Sequence, residues 1–400
     1  MGTKNYLPAQ QSQGGQYVLS PEISEYVSRI GNNLARVSDR PELPYQFVVL
    51  NNSVPNAWAM PGGKISINRG LLTELESEGE LAAVLAHEIV HAAARHGAKA
   101  VERGMLLQAG TLGIGMAVSG NQYSDLLVGA AAVGANLINL KYTRSQELEA
   151  DYYSMHYLAR AGYDPYVAVT LQDTFIKLNN QGDPNWITGL FASHPPSIER
   201  LEANRKTASL LPQGGFTGKN EYIAMIGPLT RKKKAYEEYD NGVKALVNNN
   251  PREAFNLAES AIEMEPFEAH FFGLLGDIYF KEGQFRKALG EYDKATRLNN
   301  NYYRFFLQRG LTEQKLGLFS QARENLARSN DLMPTAAAHY GMGELALQGG
   351  DQKTAINHFK TAASSESSLG RQAYQKLAVL ELPINPGKYL EVNAAVDTDG

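Results

Sequence analysis

Apolar residues recur at helical spacing from Leu81 to Val90 (Leu81, Ala82, Val84, Leu85, Ile89, Val90), without a proline, behind a Ser77/Glu80 pair at capping-box spacing. This predicts a mostly buried helix starting at Ser77. Ile23, Val27, Ile30, Leu34 and Val37, after Pro21, predict an amphipathic helix over residues 21–37 that covers a small sheet. That sheet is expected from a strand at Tyr45–Leu50 and a hairpin in which Trp58–Met60 and Lys64–Ile67 flank Pro61-Gly62-Gly63. A further helix is predicted from Arg144 through Tyr152, Met155, Leu158 and Ala159, and another over 165–180. The Gly- and Ala-rich stretch 105–140 divides at Ser119-Gly120-Asn121-Gln122. Each half falls short of the ~20 residues a membrane-spanning helix needs. The stretch reads as two helices buried in the domain, with a mobile lid and peripheral contact with a membrane surface left open.

Beyond Leu201 the pattern changes. Leu211-Pro212-Gln213-Gly214-Gly215 reads as a linker extending to residue 234, with Arg231-Lys232-Lys233-Lys234 as a solvated helix start. A repeat follows. Gly242, Gly276, Gly310 and Gly343 mark one position and Ala254, Ala288, Ala322 and Ala355 another, at spacings of 34, 34 and 33 residues. Small residues at helix crossings with this period are the signature of tetratricopeptide repeats. Four repeats and a closing helix near 370–380 are expected, with a mobile tail over 383–400. Such repeats stack into a superhelix whose concave face holds peptides or partner proteins. The predicted division is therefore 1–210, a 211–234 linker, 235–382 and the tail.

The first helix contains the candidate chemistry. His87 and His91 are four apart, so both rings lie on one face and can direct a nitrogen at the same point. Glu88 projects beside that point, where a carboxylate takes a proton from an attacking water in H-E-x-x-H zinc chemistry. Five letters with three fixed also describe a plain surface stripe, but the apolar flanks place these ionisable groups on a buried helix, where they need partners. A catalytic zinc takes three protein ligands. A histidine six residues after His91 is absent, since that position is Gly97. Glu147 and Asp151 share a face of the second helix; one can ligate zinc while the other accepts from a ligating histidine. Glu149 points away as a solvated residue. His194, held before Pro195-Pro196, can donate to an oxyanion with Arg200 reinforcing that charge. It can equally fill a fourth metal position in a resting enzyme, or be a structural histidine.

Composition narrows the classes. The 400 residues are 43% hydrophobic and 20% charged with a net charge of -4, an ordinary globular balance without a nucleic-acid footprint. There is no cysteine, which removes disulfides, thiolate metal sites and cysteine nucleophiles. The polar start, Met1 to Tyr17, lacks the apolar core of a signal peptide.

Taken in order, His87-Glu88-Ile89-Val90-His91, Glu147 to Asp151 as E-x-x-A-D, and Ser193-His194-Pro195-Pro196-Ser197-Ile198-Glu199-Arg200 resemble the zinc metallopeptidase family that includes HtpX and the CAAX prenyl endopeptidase. Asn56-Ala57-Trp58-Ala59-Met60-Pro61-Gly62-Gly63 and the appended repeats resemble its BepA-type branch. The resemblance implies an α+β zincin-like metalloprotease domain with a small β-sheet, followed by an all-α tetratricopeptide-repeat solenoid. It implies one Zn2+ per chain, held by His87, His91 and Glu147, with Glu88 as general base and Asp151 behind a ligand. Asn56, Ala57, Trp58 and Ala59 would then form an edge that holds substrate backbone, although a plain structural hairpin explains the residues equally. The implied setting is the bacterial periplasm, with misfolded or stalled envelope proteins as substrates and outer-membrane assembly machinery among the partners. A chaperone-like assembly factor with a restrained or silent site is the competing reading.

Overall fold

In the computed structural model, residues 2–100 and 141–380 are described. The apolar stretch 105–140, with its expected helix pair and lid, and the expected tail over 383–400 lie outside the described residues.

Three short strands form one sheet in the order β1-β3-β2, where β1 is Gln46–Leu50, β2 is Ala57–Met60 and β3 is Lys64–Asn68. β1 runs parallel to β3, with Phe47 opposite Ile65, and β2 runs antiparallel to it, with Ala59 opposite the same residue. The β2–β3 turn is tight because Gly62 and Gly63 take φ of 91° and 77°, where a side chain would be strained. Alternation divides the faces. Ala57, Ala59, Ile65 and Ile67 enter the main core with α2 (Pro21–Arg36), whereas Trp58 and Met60 face α1 (Gly2–Ser12). α1 is an element the polar N-terminal sequence did not announce. Its Tyr6 ring meets Trp58 edge-on at 5.9 Å and its hydroxyl donates to the Ile65 carbonyl at 2.9 Å.

After a single turn, α3 (Arg69–Leu72), the chain enters α4 (Glu78–Ala93). Ser77 caps α4 by accepting from the Glu80 amide at 3.1 Å, while the Glu80 carboxylate accepts from Glu76 N at 2.6 Å, one residue earlier than a capping box predicts. Leu81, Leu85 and Ile89 are fully buried, each stabilising the domain by roughly 1.5–3 kcal/mol. α5 (Arg144–Arg160) packs along α4 behind a complete Thr143/Gln146 capping box. α6 (Tyr166–Gln181), two short turns α7 (Pro184–Thr188) and α8 (Leu190–Ser193), and α9 (Ile198–Ala208) complete the layer around them.

The expected linker is corrected. Residues 219–231 form α10 (Lys219–Arg231), whose Tyr222, Ile226 and Leu229 are buried in the main core. Tyr222 donates to the Leu72 carbonyl at 2.6 Å, and Gly79 N donates to Thr217 O at 2.8 Å. The glycines at 214 and 215 signal a turn, but the i, i+4, i+7 spacing after them belongs to a docked helix. The basic run also has partners: Lys232 pairs with Glu265 at 2.7 Å and Lys233 with Glu74 at 2.7 Å.

Four helix pairs follow: α11 (Lys233–Val247) with α12 (Pro251–Met264), α13 (Ala269–Lys281) with α14 (Phe285–Leu298), α15 (Tyr303–Lys315) with α16 (Phe319–Leu332), and α17 (Ala336–Gln348) with α18 (Gln352–Ala363), closed by α19 (Ser368–Leu380). The periodic glycines mark close crossings: a Cβ at Gly276 would come within 2.6 Å of the Tyr292 ring. The solenoid docks on the sheet side of the first domain. Gln11 donates to Asn301 O at 2.9 Å and accepts from Tyr303 N at 2.7 Å. The buried Glu268 accepts from Asn51 at 3.0 Å and from Tyr236 OH at 2.7 Å, and the Arg69 guanidinium lies 3.2 Å over the Tyr236 ring. Among the aromatics of the first helices, Phe271 is inter-repeat core while Tyr302 stacks on His270, whose ring also contacts Gly14 O at 2.9 Å.

Candidate metal centre

α4 presents His87, Glu88 and His91, α5 presents Glu147 and Asp151, and the segment between α8 and α9 presents His194, with Arg200 on the first turn of α9. Donor atoms of His87, His91, Glu147 and His194 all lie within 4.8 Å of one another. His87 Nε2 is 3.0 Å from His91 Nε2 and 3.3 Å from His194 Nδ1. The Glu147 carboxylate stands 3.5 Å from His87 Nε2, 3.3 Å from His91 Nε2 and 3.0 Å from His194 Nδ1. Zinc bonds of about 2.0–2.1 Å in a tetrahedron require donor separations of about 3.3 Å. The cluster fits such an ion.

The hydrogen bonds behind the rings agree. His87 Nδ1 is 3.1 Å from Asp151 Oδ1, so it carries the proton and leaves Nε2 as the inward donor of a lone pair. His91 Nδ1 is 3.0 Å from Nδ1 of His96, a residue the sequence reading passed over. His96 Nε2 in turn faces the Glu149 carboxylate at 3.4 Å, a loose contact rather than a hydrogen bond. With the proton of His96 on Nε2, its Nδ1 accepts from His91 and turns the lone pair of His91 Nε2 inward. Glu149 is thus half-exposed but linked to the cluster through His96, and does not simply point away into solvent. Tyr142, also unannounced, stacks on the His91 ring with centroids 3.8 Å apart.

Electrostatics follow from burial and partners. Burial lowers the His87 pKa, but Asp151 and Glu147 outweigh it and push it up to about 10. The position therefore favours positive charge, which a proton or a metal ion supplies. Burial also lowers His91, helped by the charge of the neighbouring histidines, and holds it well below the usual range. Burial raises Glu147, yet His194, His87 and His91 hold it well below the carboxylate range. Glu88 goes the other way. Its burial dominates and pushes it up, making it a stronger base, and its Oε2 has no hydrogen-bond partner among the described residues.

Arg200 departs from the role expected for it. Its guanidinium grips Asp151 in a two-pronged contact at 2.7 and 2.8 Å and reaches Glu147 at 3.0 Å and Pro195 O at 3.2 Å. These bonds commit it to orienting carboxylates rather than to an oxyanion. His194 brings Nδ1 into the cluster and sets Nε2 at 3.4 Å from Glu88 Oε1, a contact as loose as that of His96 with Glu149. β2 stands at the edge of the sheet, with Asn56, Ala57, Trp58 and Ala59 all buried.

A comparison with known families matches residues 21–208 to "Peptidase family M48", and residues 276–317 and 307–368 to tetratricopeptide repeats. Just under half of the chain is thus similar to that peptidase family. The beta-barrel assembly-enhancing protease of Escherichia coli K12 is 23% identical over 325 residues, covering 74% of this chain and 66% of that protein. The mitochondrial metalloendopeptidase OMA1 of Schizosaccharomyces pombe is 31% identical over 194 residues, 47% of this chain and 53% of that one. Metalloprotease YcaL of Escherichia coli is 28% identical over 208 residues, 50% and 73% of the two chains. The chain spans 40% to 67% of the first curated relatives' own length. The donor cluster lies within the matched residues 21–208, and the repeat solenoid follows them. Among the described residues no helix is long and apolar enough to cross a membrane.

Proposed function

We propose that this chain is a zinc-dependent endopeptidase of the bacterial periplasm that cleaves misfolded or stalled envelope proteins, with its repeats recruiting substrates or partner proteins such as outer-membrane assembly machinery. The observation that carries the reading is the convergence of four nitrogen and oxygen donors within 4.8 Å, beside a buried glutamate whose pKa is raised. His87, His91 and Glu147 would hold the ion. Bound there, zinc supplies Lewis-acid polarisation of the scissile carbonyl and of water. Glu88 takes a proton from the attacking water and returns it to the leaving amine. Asp151 keeps the His87 proton on Nδ1, and Arg200 holds Asp151 and Glu147 in place. The edge of β2 would hold the substrate backbone in extended form, with the small side chains of Ala57 and Ala59 along the strand.

The position of His194 favours a restrained form of this enzyme. Four protein donors are the count of a closed zinc site, whereas a catalytic one keeps a position open. With Nδ1 among the donors and Nε2 3.4 Å from Glu88, His194 stands at the fourth position and beside the general base. We therefore assign it a restraining role, with an assembly factor's holding activity persisting when the site is closed. Glu88→Gln tests the reading. Hydrolysis of an unfolded protein should fall by about 10²-fold or more while metal content stays the same. Undiminished hydrolysis would overturn it.

A further inference from the structure

We propose that His339 and His358 form a second metal site, in the last helix pair of the solenoid, that takes a divalent ion of the nickel, copper and zinc group. It stands independently of the peptidase reading. His339 is on α17 and His358 on α18, and their Nδ1 atoms face each other at 3.0 Å, with ring centroids 5.3 Å apart. The Nε2 atoms of His87 and His91 in the donor cluster stand at the same 3.0 Å. Two nitrogens this close are within reach of one ion at bonds of about 2.0–2.1 Å.

Without a metal, a single proton joins the two rings, since one Nδ1 must donate and the other accept. An ion that displaces this proton bonds both lone pairs. Burial holds both rings below the usual histidine value, and the neighbouring His358 lowers His339 further, so neither is charged at neutral pH. Imidazole nitrogen suits nickel, copper and zinc, whereas magnesium and calcium take oxygen donors. Both residues are half-buried, which leaves an ion a route from solvent.

The fold holds the pair in register. Each histidine is next in sequence to an aromatic residue that packs across the same two helices, and the Tyr340 ring meets that of Phe359 edge-on at 5.5 Å. Phe359 is fully buried and lies over Gly343, where a Cβ would come within 2.7 Å of its ring. Ala338, just before His339, is fully buried too, and Thr335 caps α17 by accepting from its amide at 3.1 Å. The two donors are thus placed before an ion arrives. Among the described residues the central cluster is the only group of three or more metal-ligating side chains, so this site has two protein donors and positions open to water. Two donors hold an ion more weakly than four, and this ion should be lost in a purification that the central one survives.

The test is equilibrium dialysis of Ni2+ against the full chain, first loaded with zinc and cleared of loosely held ion, alongside His339→Ala, His358→Ala and the double variant. The natural chain should bind one nickel in addition to the ion of the donor cluster. Each single variant should weaken that binding by about tenfold or more and the double variant no further, because one lost donor already breaks the chelate. No nickel on the natural chain, natural affinity in either single variant, or losses that add in the double variant would each overturn the site. A second readout needs no variant. Nickel should shield His339 and His358, but not His156 of α5, from acylation by diethyl pyrocarbonate, read by mass spectrometry. Acylation of either residue at an unchanged rate would also overturn the proposal.

Discussion

At the scale of single residues, the donor cluster is built from short-range rules and completed by long-range ones. His87, Glu88 and His91 were legible because four residues make one helical turn, and Glu147 and Asp151 because they repeat that spacing. His96 and Tyr142 were not legible in the same way. His96 lies beyond the end of α4, where Arg95 takes a φ of 60° and turns the chain back toward His91. No helical period places a residue after such a turn, and the only signal was a further histidine five positions on. If His96 fixes the tautomer of His91, His96→Ala should weaken metal binding about 10–100-fold in competition with a chelator, and unchanged affinity would contradict that role. The restoration expected of His96→Asn is partial, because its side chain can accept the same hydrogen bond from shorter reach.

At the scale of elements, α4, α5 and α9 are held in register by charges that cannot be removed singly. Arg200 is buried and answers Asp151 and Glu147 together, so Arg200→Ala leaves two carboxylates in the core with one cation fewer. The expected loss is about 3–5 kcal/mol, read as a fall in the denaturant midpoint, whereas a loss under about 1 kcal/mol would mean that Arg200 is only a surface partner. Elements differed in how openly the sequence declared them. The three strands, α2, α4 and α5 follow clear periods. α1 has one buried tyrosine among polar residues and a proline at position 8, so its burial depends on Trp58 and Ile65, which no local pattern reveals. α10 was hidden by the glycine turn before it, although Tyr222, Ile226 and Leu229 spell its buried face.

At the scale of the whole molecule, the repeat period declared the solenoid but not its seat, because docking surfaces are made of residues that each domain alone would show to solvent. Glu268 is the centre of that seat. Burial raises its pKa, but His270 and Tyr236 outweigh it and bring it down to about 2 from an ordinary 4.5. A carboxyl depressed in this way adds stability that is complete above about pH 4.5 and is lost as pH falls toward about 2, a contribution on the order of 3 kcal/mol. Thermal unfolding of Glu268→Gln should therefore start lower at neutral pH and fall less steeply than the natural chain between about pH 5 and 3. Parallel pH profiles would show that the docking surface does not depend on this charge. The same seat joins the repeats to Asn51 and Arg69 at the sheet, a few residues from β2.

The proposed closure of a metallopeptidase centre by His194 is tested most directly by measuring metal content and hydrolysis of an unfolded protein for the natural chain and His194→Ala side by side. One zinc per chain is expected in both, with weak hydrolysis in the natural chain that rises several-fold in the variant. Hydrolysis that disappears in the variant would contradict the restraint and assign His194 to the reaction, and absence of metal from both chains would contradict the centre itself.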